Sequence, residues 1–427
     1  METTASETED DLYRILSLDG GGSWALIEAA ALGDIYGLET PGKQILNHFN
    51  LAVANSGGSI VLAGLILNLS PSQILDRLFD ETVRRGIFDK KFFDDYIFDT
   101  GFRKYKTESK SIGLRNAFQN NLVDTPLVEI KEVFSLKPDI IITAFGYDRE
   151  RAKFFRSNGG SWAGGAERTV TLLQAIHASS TAPVKYFDDP AELQGVNPPR
   201  FWDGGVGGYN NPVMAGVIES LANSQNRDKI RVLSIGTGNN FLPLLQPGMQ
   251  GDVLYKSPNA PGFFSDIRLL AGAIISDPPD AASFNAHVVL GGCLPDPNSQ
   301  NKQNASTFVT NLIRMNPSIQ PSRDANGQWA FPVAISRIDF IRLIKLGLDA
   351  VEDEDVKIIR RFAKAWLQDG IINQAIRADG RTLEHEIGHA IYSEALAHWR
   401  NYCGSVLTGE NRKVNHQKVL KKLCPTV

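Results

Sequence analysis

Short apolar runs alternate with longer stretches of helical spacing along the first two thirds of the chain. Short apolar runs bounded by turn residues predict buried strands, and apolar positions three or four apart predict helices. The predicted strands are Tyr13–Leu18, Phe49–Val53, Asp139–Ala144, Lys153–Arg156, Phe201–Trp202 and Ile230–Ile235. The predicted helices are Ser23–Tyr36, Ser59–Leu67, Thr171–Ala178 and Pro212–Ala222. Strands that alternate with helices predict a layered α/β protein.

The pattern changes beyond Gly251, where the chain becomes loop-rich. The run Asn298–Ser306 has the composition of an exposed excursion, and from Arg337 onward the pattern is helical and charged. We therefore expect a flexible acidic N-terminus at 1–12, a catalytic domain at 13–335 and a helical C-terminal cap at 336–427. No internal repeat is present.

Composition limits the class of protein. The chain has 427 residues, 42% hydrophobic and 22% charged, which is typical of a globular enzyme. The net charge of −4 and the lack of a basic block argue against a nucleic-acid partner. The 3 cysteines are scattered and fit a reducing compartment. The acidic N-terminus lacks the pattern of a secretory signal, so we expect a cytoplasmic protein.

Leu51–Leu69 carries no charged residue and is long enough to cross a bilayer. However, a polar and glycine-rich break, Asn55–Ser59, lies near its start. A strand, a tight turn and a helix therefore explain this segment better than one membrane-spanning helix does.

Aromatic and basic residues are interleaved between Ile87 and Tyr105. A lid or a membrane-contacting surface is one interpretation of this stretch. Packing of the rings on the sheet is the other, and it is the interpretation we favour.

The first motif with chemical meaning is Asp19-Gly20-Gly21-Gly22, between a predicted strand and a predicted helix. Glycines leave successive N–H groups unobstructed, and such groups bind a phosphate or the oxyanion of acyl transfer. The continuation Ser23-Trp24-Ala25 is that of neither common phosphate-binding motif. The motif alone does not identify a function.

The second motif, Ala54-Asn55-Ser56-Gly57-Gly58, follows an apolar strand and precedes an apolar helix. This is the context of a nucleophile elbow, in which a serine points its hydroxyl away from the sheet. Ala54 stands where the elbow motif has its first glycine. A strand–turn–helix with an incidental serine explains this motif equally well when it is taken alone.

The third motif is Trp202-Asp203-Gly204-Gly205, soon followed by Asn210-Asn211-Pro212. An aspartate at a strand end before two glycines is placed in a turn from which it can reach a neighbouring loop. An ion-paired turn residue is the alternative interpretation.

In combination, these motifs resemble those of patatin-like phospholipases, over about Arg14 to Gly238. Further matching blocks are Ile140–Asp148, Phe154–Ser157, Ala178–Pro183 and Leu233–Gly238. The resemblance implies a three-layer α/β/α fold with a mainly parallel central sheet. It also implies a Ser56–Asp203 dyad and an oxyanion hole at Gly20, Gly21 and Gly22. Supporting positions would be Ala54, Asn55, Gly57, Gly58, Gly204 and Gly205.

The resemblance further implies membrane phospholipids or other acyl lipids as substrate, peripheral contact with membranes, and neither cofactor nor metal. This chain departs from the family at three positions. Trp24 and Ala25 stand where a basic residue and a glycine are usual, and His177 stands where an arginine is common. These departures bear on substrate preference more than on catalytic competence.

Three alternatives remain open. His385-Glu386-Ile387-Gly388-His389 is a full H-E-x-x-H on a helical pattern, which would suit a zinc peptidase or another metal site. Its third ligand would be Glu394, His398 or Glu410. A hydrolase triad could instead use His287. The chain could also be an inactive lipid-binding module.

Overall fold

The structure of the chain is a computed structural model. The structure describes residues 12–89, 105–159, 167–183, 186–194, 198–241, 244–245, 254–256, 262, 279–292, 311–323, 329–378, 385–403 and 409–425. Most of the acidic N-terminus, most of the aromatic stretch before Tyr105 and the run Asn298–Ser306 lie outside these residues.

An eight-stranded mixed sheet organises the molecule. Its strands are β1 (Tyr13–Leu18), β2 (Leu51–Ala54), β3 (Asp139–Gly146), β4 (Arg151–Arg156), β5 (Ala191–Glu192), β6 (Arg200–Asp203), β7 (Ile230–Ile235) and β10 (Leu312–Met315). Their order is β10-β7-β1-β2-β3-β6-β5, and β4 pairs with β3 off this path. The pairings from β10 to β3 are parallel, whereas β3 pairs antiparallel with β4 and β6, and β5 with β6. The six strands predicted from the sequence are confirmed, two of them with identical bounds.

Three short two-stranded ribbons complete the strands. They are β8 (Leu244–Leu245) with β9 (Tyr255–Lys256), β11 (Ser322–Arg323) with β12 (Trp329–Ala330), and β13 (Arg377–Ala378) with β14 (His385–Ile387).

Helices cover the sheet. They are α1 (Leu26–Tyr36), α2 (Gly42–Leu46), α3 (Ser56–Ile66), α4 (Pro71–Gln73), α5 (Glu81–Ile87), α6 (Thr107–Phe118), α7 (Ile130–Phe134), α8 (Leu172–Ser180), α9 (Val213–Ala222), α10 (279–289), α11 (Arg337–Lys345), α12 (Asp353–Leu367), α13 (Tyr392–Cys403) and α14 (Gly409–Leu423). Short 3-10 or π turns lie at Gly22–Ala25, Ile74–Leu78, Asn121–Asp124, Leu127–Glu129, Glu167–Thr169, Gly204–Gly207 and Arg227–Lys229.

The two faces of the sheet contact different helices, because successive side chains of a strand point to opposite faces. In β1, Leu16 joins the larger core with α1, α3 and α12, whereas Ile15 joins a smaller core with α9 and α10. The central strands are apolar on both sides, as expected of parallel strands between two helical layers. The predicted α/β/α architecture is confirmed.

Leu51–Leu69 forms β2, a turn and α3, as the glycine-rich break predicts. Within the described residues, no helix is long and apolar enough to cross a membrane.

The C-terminal part is helical and packs on the first layer. Both α12 and α14 contact α1, and α12 also contacts the 3-10 turn that follows the glycine loop. The helices expected from Arg337 onward are present, whereas the division into a catalytic domain at 13–335 and a helical cap at 336–427 stays a prediction.

One feature of the sheet determines which loops meet. One edge of the strand β3 pairs with β4. Along its other edge, the first half of β3 pairs with β2 and the second half pairs with β6. Ala54 at the end of β2 lies opposite Ile142, and Asp203 at the end of β6 lies opposite Ala144. The two strands thus run towards each other and end two residues apart along β3, about 7 Å at the usual rise of a strand.

Candidate active site

Ser56 occupies the turn between β2 and α3. Its φ angle is 46°, in the left-handed region that non-glycine residues seldom adopt. The turn is held by its neighbours: the Ser56 N–H donates to Ser179 Oγ at 2.9 Å, and Ser59 Oγ donates to the Ser56 carbonyl at 2.6 Å. A strained serine between a strand and a helix is the geometry of a nucleophile elbow.

Ala54 fits the elbow although the motif usually has glycine there. It is the last residue of β2, is fully buried, and is not among the residues with positive φ. Its backbone therefore needs no glycine.

Asp203, at the end of β6, is buried beside Ser56. Its Oδ1 accepts hydrogen bonds from Asn55 Nδ2 at 2.9 Å and from the Gly205 N–H at 2.8 Å. The Ser56 side chain is a further hydrogen-bonding neighbour of this carboxylate.

Opposing effects act on the pKa of the Asp203 carboxyl. Burial raises it above the ordinary value, and this effect dominates. Hydrogen bonds from Ser56, the Gly205 N–H and Asn55 oppose the rise, as does the positive charge of Lys110. The result is a carboxylate with a raised proton affinity next to a serine hydroxyl.

Asn55 has a more specific place than the sequence motif suggests. Thr143 Oγ1, on β3, donates to Asn55 Oδ1 at 2.7 Å. This bond fixes the amide so that its NH2 group faces Asp203. Thr143 and Ser179 were not selected from the sequence. Ser179 belongs to the block Ala178–Pro183, but nothing in that block indicates that it holds the elbow.

The glycine loop lies against the elbow. A Cβ on Gly57 would lie 2.7 Å from Gly22 N, so α3 and the loop approach more closely than a side chain allows. Gly22 has φ 56°, which favours glycine. Among the described residues, the N–H groups of Gly21 and Gly22 have no hydrogen-bond acceptor. Backbone N–H groups in such a turn can stabilise an oxyanion.

The structure differs from the sequence-based expectation at Gly20. Its N–H donates to the Asn210 carbonyl at 2.7 Å, and its own carbonyl accepts a bond from Thr237 Oγ1 at 3.0 Å. Gly20 therefore connects two loops, and its N–H is already bonded within the protein.

A buried ion pair anchors the start of the loop. Arg314, on β10, donates to both oxygens of Asp19, from Nη1 at 2.9 Å and from Nη2 at 2.5 Å. Both side chains are 5% exposed. The edge strand β10 thereby positions the glycine loop, although the two segments are far apart in the sequence.

The departures Trp24 and His177 are both buried. Trp24 donates from Nε1 to the Gly347 carbonyl at 3.1 Å and packs edge-on against Phe362 of α12. Burial, and then the charge of Lys110, lower the pKa of His177 to about 3. Neither side chain supplies the positive charge usual at its position.

The H-E-x-x-H segment does not have the geometry that its spacing suggested. His385–Ile387 is strand β14, paired with β13, so the expected helix is wrong. Backbone pairing with Arg377 and Ala378 prevails here over helical spacing. His389 Nε2 lies 2.8 Å from His398 Nδ1, and His398 Nε2 lies 2.9 Å from the Tyr402 hydroxyl. Within the described residues, no group of three or more His, Cys, Asp or Glu side chains could hold a metal ion.

His287 lies on α10 and is fully buried. In a catalytic triad, the histidine would have to form a hydrogen bond with the Ser56 hydroxyl. The Ser56 N–H donates to Ser179, and the Asp203 carboxylate accepts from Asn55 and from the Gly205 N–H.

A mostly parallel sheet between helical layers, with a strained serine at a strand–helix turn, defines an α/β protein with a site of serine-hydrolase type. Residues 16–217 match the family model of patatin-like phospholipases. The matched range includes the elbow, the glycine loop and Asp203. Among solved structures, VipD from Legionella pneumophila is similar at 9% identity and a TM-score of 0.33, over 82% of this chain and 67% of VipD. Comparison with curated proteins gives no match.

Proposed function

We propose that the chain hydrolyses carboxylic ester bonds of phospholipids or related acyl lipids, with Ser56 as nucleophile and Asp203 as general base. One observation carries this proposal: β2 and β6 end towards each other on one edge of β3, beside a strained serine and a buried carboxylate. The match of residues 16–217 to the family model of patatin-like phospholipases supports the lipid substrate class.

The reaction would proceed in two halves. Ser56 Oγ bonds to the ester carbonyl carbon while its proton passes to Asp203. The N–H groups of Gly21 and Gly22 stabilise the negative oxygen of the tetrahedral intermediate. When the intermediate collapses, the alcohol leaves with the proton from Asp203. Water then attacks the acyl-enzyme and gives a proton to Asp203, which the Ser56 oxygen recovers as the fatty acid leaves.

The raised pKa of Asp203 suits a base that acts without a histidine. A carboxylate of ordinary pKa takes a proton poorly at neutral pH, whereas desolvation increases its proton affinity. Activity needs Asp203 ionised, so it should fall as the pH drops through this raised pKa. We expect the acid limb of the pH profile above the ordinary carboxyl range.

Lipid hydrolysis by the wild type, Ser56→Ala and Asp203→Asn tests the proposal, with the released acids and lysolipids identified. Ser72→Ala is a matched control, because Ser72 is also buried but lies in α4. We expect both site variants to lose activity by several orders of magnitude and the control to keep it. His287→Ala should also remain active, since abolished activity would favour a triad.

An inactive lipid-binding module is the second candidate, and a fluorophosphonate probe distinguishes it. The proposed hydrolase should be labelled in the wild type and not in Ser56→Ala. Absence of Ser56-dependent labelling together with intact lipid binding would support the binding module.

The hypothesis that the protein contacts membranes rests on the sequence of the aromatic and basic stretch before Tyr105. As a test, Phe92 and Phe93 are replaced together by serine. Membrane contact predicts a greater loss of activity on vesicles than on a short soluble ester, and equal losses would contradict it.

A further inference from the structure

A buried lysine lies close to the proposed dyad. Lys110 lies on α6 (Thr107–Phe118), a helix with several polar residues, and its side chain is only 1% exposed. Burying an ammonium group is costly unless other groups compensate the charge. The position of Lys110 therefore calls for a compensating partner.

The immediate neighbours of Lys110 are neutral. Its Nζ donates to Thr181 Oγ1 at 3.1 Å and lies 4.5 Å from the centroid of the Phe187 ring. An ammonium group has three N–H donors. Among the described residues, no carboxylate lies within 4.0 Å of Nζ, so the compensating negative charge must act over a longer distance.

Asp203 provides that negative charge. The Asp203 N–H donates to the Thr181 carbonyl at 2.8 Å, so one threonine contacts both residues. Burial lowers the pKa of Lys110 well below the ordinary value, and Asp203 opposes this effect. Conversely, Lys110 opposes the rise in the pKa of Asp203.

The other ionisable groups near Lys110 are otherwise engaged. His177, on α8, bonds to the Thr107 carbonyl at 3.1 Å and stays neutral at working pH. Arg84, on α5, donates to Asp353 at 2.6 Å. Asp188 accepts the Thr107 N–H at the start of α6. The positive charge of Lys110 favours the ionised form of Asp203, by less than burial disfavours it.

We propose that Lys110 is a positioning residue of the reaction, whose buried positive charge, held by Thr181 and the Phe187 ring, keeps Asp203 ionised as the base for Ser56. This inference rests on the proposed function. Lys110 forms no bond with Ser56, so it acts through Asp203 and does not itself remove the proton.

The test is the pH dependence of kcat/KM on a short soluble ester for the wild type, Lys110→Met and Lys110→Arg. Loss of the positive charge of Lys110 should raise the pKa of Asp203. We expect the acid limb of Lys110→Met to move up by about one pH unit or more. Lys110→Arg keeps the charge and should keep the limb near the wild-type pH.

Lys43→Met is a matched control, because Lys43 also lies over a phenylalanine ring but on α2, away from the dyad. Its acid limb should not move. The pH dependence of Ser56 labelling by a fluorophosphonate gives a second readout of the same ionisation. A change in stability alone would not move either pH profile.

An unchanged acid limb in folded, active Lys110→Met would overturn the inference while leaving the Ser56–Asp203 hydrolase intact. A wild type without Ser56-dependent activity or labelling would overturn both. If circular dichroism shows that Lys110→Met does not fold, Thr181→Val replaces it, since it removes the side-chain bond to Lys110 and keeps the carbonyl bonded to Asp203. An upward shift supports the inference, and no shift overturns it.

Discussion

Arg314→Met removes the cation of the buried pair that anchors the glycine loop. Both side chains are 5% exposed, and two hydrogen bonds join them. Met has a similar length and no charge, so the main effect is an unpaired buried carboxylate at Asp19. Breaking one side of such a pair costs about 3–5 kcal/mol of the free energy of unfolding.

The comparison is with Arg115→Met, which breaks an ion pair with Asp124 that is 48% and 40% exposed. Surface pairs contribute at most about 1 kcal/mol. Urea denaturation followed by circular dichroism measures both variants. The double variant Asp19→Asn with Arg314→Met should recover part of the loss, because it leaves no buried charge.

The loss in Arg314→Met should also depend on pH. Burial raises the pKa of Asp19, and Arg314 opposes the rise, so the folded-state pKa rises further without it. A raised folded-state pKa gives stability at low pH that is lost as the pH rises through that pKa. The deficit should therefore be smaller at pH 5 than at pH 8. A deficit no larger than that of Arg115→Met, or independent of pH, would refute this reasoning.

Three further predictions concern the site itself. Asn55→Ala removes a hydrogen bond to the Asp203 carboxylate, about 1.5–3 kcal/mol for a charged acceptor, so the acid limb of kcat/KM should move up by roughly one to two pH units; an unmoved limb would contradict this. Gly57→Ala places a Cβ 2.7 Å from Gly22 N and should cost about 1–3 kcal/mol in urea denaturation. Gly86→Ala is the control: its new Cβ would lie 3.8 Å from the nearest atom, so the free energy of unfolding should not fall. Trp24→Phe removes the bond to the Gly347 carbonyl and should lower the free energy of unfolding by about 1 kcal/mol. An unchanged free energy would show that this bond does not stabilise the cap.

Local sequence determined the elements around the elbow. The apolar runs Tyr13–Leu18 and Ile230–Ile235 became strands with those bounds, and the glycine-rich break after Ala54 became the strand–helix turn. Period-two apolar patterns and turn residues act between near neighbours, so they can be recognised in a single sequence. The local pattern alone fitted an incidental serine equally well, and the combination of motifs made Ser56 the expected nucleophile. Its φ angle of 46° is in the left-handed region.

Contacts between residues far apart in the sequence determined the features that the local patterns did not predict. His385–Ile387 pairs with β13 as a strand despite its helical spacing, and the Gly20 N–H bonds to Asn210 instead of remaining free. The burial of Lys110 beside Asp203 depends on how α6 packs against α8. A residue's own neighbours in sequence do not specify which distant backbone group or charge it will contact. The local motifs indicated Ser56 and Asp203 separately, and the family resemblance paired them. Their proximity in the structure depends on β2 and β6 sharing one edge of β3.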